Sequence, residues 1–299
     1  MIVRRLLAAA GIAGALALVG APAFAQSNCA ALCAVQCVKP ITIPDRWDDS
    51  TPIAGYTAGS RRGNWQNNNA WDSEAFTDTN GNGLWDSGET FVDGNANGTY
   101  DAELYDPATT GYRPSVDLGL ELLLKADNDA KSSPGQYLSV ALPPVNRGTP
   151  IVNDGDDYSA NWMACNSVLA GNGDVLQLQP GNLIGLTNTA MRNLVAQDPD
   201  AYWDPITQSI QGSQFPQSPR VLFVPVHDPR IPIFAGHNVV VVTKVVAFFM
   251  EQMEGNAEVR GRFLRAGGTG SACAGGADGF IVECPTPARG TSWGRVKDL

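Results

Sequence analysis

The chain has 299 residues, 43% of them hydrophobic, and sets 20 Lys plus Arg against 30 Asp plus Glu for a formal charge of −10. That length supports an apolar core without help from cross-links. Acidity without clustered cations argues against nucleic acid and anionic membrane surfaces as partners, and suits divalent cations.

Residues 1–25 read as a signal peptide: Arg4 and Arg5 precede the apolar run Leu6 to Val19, and Ala23-Phe24-Ala25 is a small-x-small cleavage site. The run is also long enough for an uncleaved anchor, but Pro22 and the Ala-x-Ala ending favour cleavage before Gln26. Export to the periplasm, cell envelope or extracellular space is expected, with no membrane span after signal removal. Loss of the two leader arginines takes the charge from −10 to −12.

Residues 26–71 combine a cysteine stripe with irregular, surface-bound chain, the latter indicated by Pro40, Pro44 and a Gly/Asn/Ser-rich run. Cys29, Cys33 and Cys37 recur at a spacing that lines one side of a helix. In an oxidising compartment the six cysteines are expected to form disulfides. Cys273–Cys284 and Cys37–Cys165 are candidate pairs, and the stripe leaves an intermolecular bond open.

Residues 72–106 carry nine acidic side chains, and no Lys or Arg occurs from Gly63 to Tyr112. Asp78-Thr-Asn80-Gly-Asn82-Gly83-Leu84-Trp85-Asp86-Ser-Gly-Glu89 follows the twelve-residue calcium loop. Asp78, Asn80 and Asn82 offer oxygen at places 1, 3 and 5, and Gly83 allows the turn. Leu84 offers its carbonyl, Asp86 stands at place 9 and Glu89 closes at place 12. Fifteen residues on, Asp93, Asn95, Asn97, Gly98, Thr99, Tyr100 and Asp101 repeat the pattern. Place 12 is now Leu104, so Glu103, Asp106 or a ligand shared between the loops is needed there. Calcium is the expected cofactor, since it accepts six to eight oxygens in flexible geometry. A turn-rich solvated linker is the alternative reading.

Only Thr90, Phe91 and Val92 separate the loops, too little chain for the flanking helices of a sensor EF-hand. The arrangement is similar to the compact loops of dockerins and thrombospondin type 3 repeats. That similarity implies a structural role for calcium, and extracellular modules commonly bind it in roughly the 0.1 to 1 mM range. Trp85, Phe91, Tyr100 and Tyr105 are candidates for a small apolar floor.

Residues 107–299 form the expected mainly-β (α+β) domain: a β-sandwich or barrel-like core with one or two helices, beside the inserted calcium-loop segment. Val116 to Lys125 alternates with period two, as a half-buried strand does. Tyr137 to Leu142, Val175 to Gln179 and Val221 to Val226 read as further strands. Asn238 to Met250 and Glu258 to Leu264 read as a hairpin. One internal helix is expected, capped by Thr187 or Thr189 and ending before Asp198-Pro199. Asp154-Gly155-Asp156-Asp157 reads as an exposed turn. His227 and His237 read as surface or capping histidines, since no nucleophile motif accompanies them. No catalytic residues are assigned, and an enzyme is not expected.

Several short motifs together resemble a known family. They are Cys37-Val-Lys-Pro40, Ile43-Pro-Asp-Arg-Trp47, the tandem loops, Pro180-Gly181-Asn182, Asp198-Pro-Asp-Ala-Tyr-Trp203-Asp204, Val224-Pro-Val-His-Asp228-Pro229, Val245 to Phe249 and Gly261-Arg262. The chain resembles the exported domain of TadG-like (TadE/TadG-type) proteins of Flp/Tad pilus assembly. The resemblance implies a non-enzymatic envelope role in pilus assembly or adhesion, with pilus or envelope proteins as partners. It departs from the family in that a cleavable-looking signal leads almost directly into the domain. The alternative is a secreted dockerin-like or matrix module that docks a partner through its calcium loops.

Overall fold

The computed structural model describes residues 38–48, 51, 56, 71–113, 116–126, 136–142, 155–164, 171–179, 181, 183–231, 233 and 238–264. Residues 1–25, read as a signal peptide, all six cysteines with their proposed pairings, and His237 lie outside the described residues. The strands are β1 (Ile41–Pro44), β2 (Glu121–Ala126), β3 (Gln136–Ser139), β4 (Val175–Gln177), β5 (Tyr202–Asp204), β6 (Ser209–Gln211), β7 (Val221–His227), β8 (Val239–Gly255) and β9 (Glu258–Leu264). The helices are α1 (Gly155–Met163) and α2 (Ile184–Gln197).

The strand order β8-β7-β1-β3-β2-β9 closes on itself because β9 pairs back onto β8, giving a six-stranded barrel, and β4 adds a further strand to β8. The mainly-β core is therefore a barrel, with two helices among the described residues. Closure leaves few strand edges exposed. It depends on β8, whose 17 residues pair with β7 through their first part and with β9 through their second. Register shifts between Met250 and Gln252, and between Met253 and Gly255, bend the strand as it passes from one partner to the other. Ile41, Leu124, Tyr137, Leu222, Val224, Phe248, Val259 and Phe263 fill the interior. β5 and β6 form a separate hairpin.

β1 overturns the expectation of irregular, surface-bound chain. All four of its residues are buried, and it lies between β7, to which it is parallel, and β3, to which it is antiparallel. Pro44 ends the strand, where proline is tolerated, and burial of both faces removes the polar alternation that marks a half-exposed strand. Because β1 belongs to the barrel, the acidic loop segment is inserted between two barrel strands, β1 and β2.

Other boundaries also shift. The strand expected from Val116 begins only at Glu121. The N–H groups of Val116 and Asp117 both bond the Arg113 carbonyl, and Gly119 takes φ +75°, so the first half of the alternating run is a turn. α2 starts at Ile184, before either threonine proposed as its cap. Thr187 is buried within it, and Ala190, Met191 and Leu194 form the expected inner face. The segment Gly155–Met163, whose start was read as an exposed turn, is helical, with Asp157 only 6% exposed. Tyr158 and Trp162, one helical turn apart, anchor it in the core. Among the described residues no helix is long and apolar enough to cross a membrane.

Candidate calcium-loop site

Two short antiparallel contacts frame the inserted segment. Phe76 pairs with Phe91, with Thr77 N–H donating to Thr90 and Val92 N–H donating to Ala75, and Ser73 pairs with Ala102. Phe76 and Phe91 stand at equivalent places in the fifteen-residue repeat, each two residues before the first aspartate of a loop. The aromatic floor forms from both repeats. Trp85 stacks on Tyr100 at 4.6 Å, and Phe76 and Phe91 meet the Tyr100 ring edge-on at 5.7 and 5.9 Å. Tyr105 is not part of this cluster. Its hydroxyl donates to Asp45 at the barrel.

In the first loop the Asp78 carboxylate accepts the N–H groups of Gly81, Asn82 and Gly83. Asn80 Oδ1 accepts Asn82 N–H, and Asn82 Oδ1 accepts Leu84 N–H. The amides of Asn80 and Asn82 both donate to Asp86, each at 2.7 Å. Glu89 closes the loop, accepting Thr79 N–H at 2.7 Å and Asp86 N–H at 3.0 Å. Gly83 has φ +79°, the left-handed conformation for which glycine suits this place.

The second loop repeats these contacts. Asp93 accepts Asn97 and Gly98 N–H, Asn95 Oδ1 accepts Asn97 N–H, and Asn97 Oδ1 accepts Thr99 N–H. Asn95 and Asn97 donate to Asp101, and Gly98 matches Gly83 at φ +79°. At the closing place the two loops differ. Leu104 is 58% exposed. Glu103 accepts Asp72 N–H, and the Asp106 carboxylate caps the following turn through Ala108 and Thr109. Glu74, which precedes the first loop, accepts Gly94 N–H at 2.8 Å and Asp101 N–H at 3.0 Å, and also accepts the Tyr56 hydroxyl.

The donor set fits a hard cation: carboxylate and amide oxygens are concentrated on each loop, with no thiol and no imidazole. A carboxylate has about four lone-pair sites, so one that accepts backbone N–H groups retains capacity for a cation. Among the described residues no three Asp, Glu, His or Cys side chains converge as a metal cluster, and amides supply two of the four side-chain places (Asp, Asn, Asn and Asp) that the loops share. Partial desolvation pushes the Asp78 carboxyl up, but the N–H groups of Gly83, Gly81, Asn82 and Asn80 outweigh it and hold the group below its ordinary range. The N–H groups of Asp86 and Thr79, with the Thr79 hydroxyl, likewise lower Glu89. Both carboxylates are thus ionised at neutral pH.

Buried polar contacts tie the end of the segment to the barrel. Asp45, directly after β1, is fully buried and pairs with Lys244 of β8 at 2.8 Å. It also accepts the Tyr105 hydroxyl and Tyr112 N–H. Lys244 Nζ additionally donates to the carbonyls of Pro107 and Tyr112. Arg46 makes a two-pronged bond to Asp117 and donates to the carbonyls of Thr110 and Gly111. His227, read from sequence as a surface or capping residue, is fully buried at the end of β7, with Nδ1 3.0 Å from the Thr42 hydroxyl. Burial holds its pKa near 3, so the ring is neutral.

Sequence reasoning missed Glu74, Asp45 and Lys244. Glu74 did leave a signal: it stands four residues before Asp78, just as Glu89 stands four before Asp93. Comparison of the chain with protein-family models, with curated proteins and with solved structures gives no match.

Proposed function

We propose that this chain is an exported, non-enzymatic calcium-binding protein of the cell envelope or extracellular space, in which calcium has a structural role. The observation that carries the reading is the repetition, fifteen residues apart, of the same Asp, Asn, Asn, Gly and Asp places, with the same positive-φ glycine and matching hydrogen bonds. Asp78, Asn80, Asn82, Asp86 and Glu89 would hold one ion with the Leu84 carbonyl. Asp93, Asn95, Asn97 and Asp101 would hold a second with the Thr99 carbonyl. Bound calcium neutralises a stretch that has no lysine or arginine of its own and fixes a segment whose apolar packing comes mainly from a handful of aromatic rings.

A role in Flp/Tad pilus assembly or adhesion rests on the motif resemblance, and pilus or envelope proteins are the partners it suggests. Docking through the loops is supported by Val92 and Leu104, which are 51% and 58% exposed on the segment itself. Titration calorimetry of residues 26–299 with a parallel melting curve tests the calcium reading. Uptake of one or two ions with a rise in melting temperature is expected. No heat and no stabilisation at millimolar calcium would reduce the segment to a solvated linker.

A further inference from the structure

We infer that Glu74 is the closing ligand of the second loop, so that the two loops form one reciprocally closed unit. The assignment rests on the calcium reading and names the residue that reading lacks. Three contacts made by Glu89 in the first loop are made by Glu74 in the second. Glu89 takes the N–H groups at places 2 and 9, Thr79 and Asp86, with one oxygen each. Glu74 takes the N–H groups at the same places, Gly94 and Asp101, with one oxygen each. The backbone agrees: Glu89 N–H donates to the Asp86 carbonyl at 3.0 Å, and Glu74 N–H donates to the equivalent Asp101 carbonyl at 2.9 Å. What one glutamate does within its own loop, the other does from the far side of the pair.

Charge supplies a separate argument. Glu74 and Glu89 are 4% and 9% exposed, and among the described residues neither is paired with a lysine or arginine. Charges withdrawn from water to this degree are normally paired with an opposite charge or a metal ion. With no basic side chain between Gly63 and Tyr112, a bound metal ion is the countercharge the segment provides for.

Reciprocity has a structural consequence. Glu74 closes the second loop from four residues before the first, and Glu89 closes the first from four residues before the second. The Phe76–Phe91 contact sets the two crossing segments side by side. The second loop can therefore close only when residues 74–77 are paired with residues 90–92.

Calcium calorimetry on residues 26–299 with single-loop variants tests the assignment. In an Asp78→Ala background, which leaves only the second loop, Glu74→Gln is expected to weaken binding at least tenfold while Glu89→Gln leaves it within about twofold. In an Asp93→Ala background the two effects should exchange. Circular dichroism and the melting transition without calcium establish that each variant is folded, and Glu74→Asp, which withdraws the carboxylate by one methylene, provides a second variant with the same expected loss. Two ions bound by the unmodified chain, with Glu74→Gln and Glu74→Asp both leaving second-loop affinity unchanged, would overturn the Glu74 assignment alone. No binding by the unmodified chain would overturn the calcium reading and this assignment together.

Discussion

Trp85 and Tyr100 lie face to face, with ring centroids 4.6 Å apart and planes 13° from parallel, although each belongs to a different loop. They occupy place 8 of their repeats, so the stack joins equivalent points of two units that are also joined at Phe76 and Phe91. The segment has little other apolar material, and its folding depends on these rings covering one another. An aromatic pair of this kind contributes about 0.5–1.5 kcal/mol beyond the area it buries. Tyr100→Ala is expected to weaken calcium binding at both loops together, although Tyr100 itself ligates nothing in the proposed scheme. Calorimetry reads this directly, and a loss confined to one loop would show that the stack does not couple them.

Acid should act on the barrel first and on the loops only at lower pH. The unfolded chain protonates His227 near pH 6.5, whereas the buried ring in the folded chain does so only near 3. Between those values the unfolded state binds the extra proton, so stability falls by up to about 1.4 kcal/mol for each pH unit of acidification. Asp78 and Glu89 have folded pKa values below their ordinary 3.8 and 4.5, so their contribution is present at neutral pH and lost as pH falls through the folded values. Urea melts of the barrel between pH 7 and 4 should therefore weaken progressively in the unmodified chain. His227→Gln should flatten that dependence, and an unchanged slope would show that another group carries it.

Lys244 meets Asp45 in the barrel wall, where their side chains are 5% and 0% exposed. Removing one member of such a pair costs more than the pair itself contributes, because the remaining charge stays buried without its partner. Lys244→Met is expected to destabilise the barrel by about 3–5 kcal/mol. It should also release the carbonyls of Pro107 and Tyr112, which the lysine holds. The double variant Lys244→Met with Asp45→Asn should recover part of the loss. Chemical denaturation of the single and double variants measures both effects, and a loss below about 1 kcal/mol in the single variant would show that the Tyr105, Tyr112 and Arg46 contacts to Asp45 suffice.

The parts of this fold that were legible in sequence are those set by local chemistry. The loops were readable because Asp78, Asn80, Asn82 and Gly83 interact within a few residues of one another, and the hairpin of β8 and β9 was readable because its turn lies between adjacent strands. β1 was obscured by its own burial: with Ile41 to Pro44 covered on both sides, only the prolines stood out. The turn at 116–119 was obscured because Asp117 bonds Arg46, 71 positions away, a contact that local alternation does not register. Glu74 was missed because its partners Gly94 and Asp101 lie in a loop to which it does not belong in sequence, and His227 because its surroundings come from β1, distant along the chain. In each case the deciding contact joins residues too far apart along the chain for local periodicity to register.

Gly261 tests that closure. It pairs with Met250 across the β8–β9 ladder and with Leu122 of β2, so it stands where the seam joins the rest of the wall. A Cβ at this position would collide with the Phe249 carbonyl and with the Phe248 ring at 2.6 Å. The carbonyl belongs to the ladder, and Phe248 is 1% exposed in the core against Phe263, so neither has room to yield. Gly261→Ala is expected to cost about 1–3 kcal/mol, the range for overpacking a well-filled interior. Gly88→Ala provides a contrast, since it has open space around it but a φ of +107° and should cost backbone strain confined to the first loop. Denaturation midpoints should therefore drop for Gly261→Ala with calcium affinity preserved, while Gly88→Ala should lower calcium affinity with the barrel intact. If Gly261→Ala were neutral, the β8–β9 seam would be more compliant than its packing allows, and the barrel's closure would not depend on this residue.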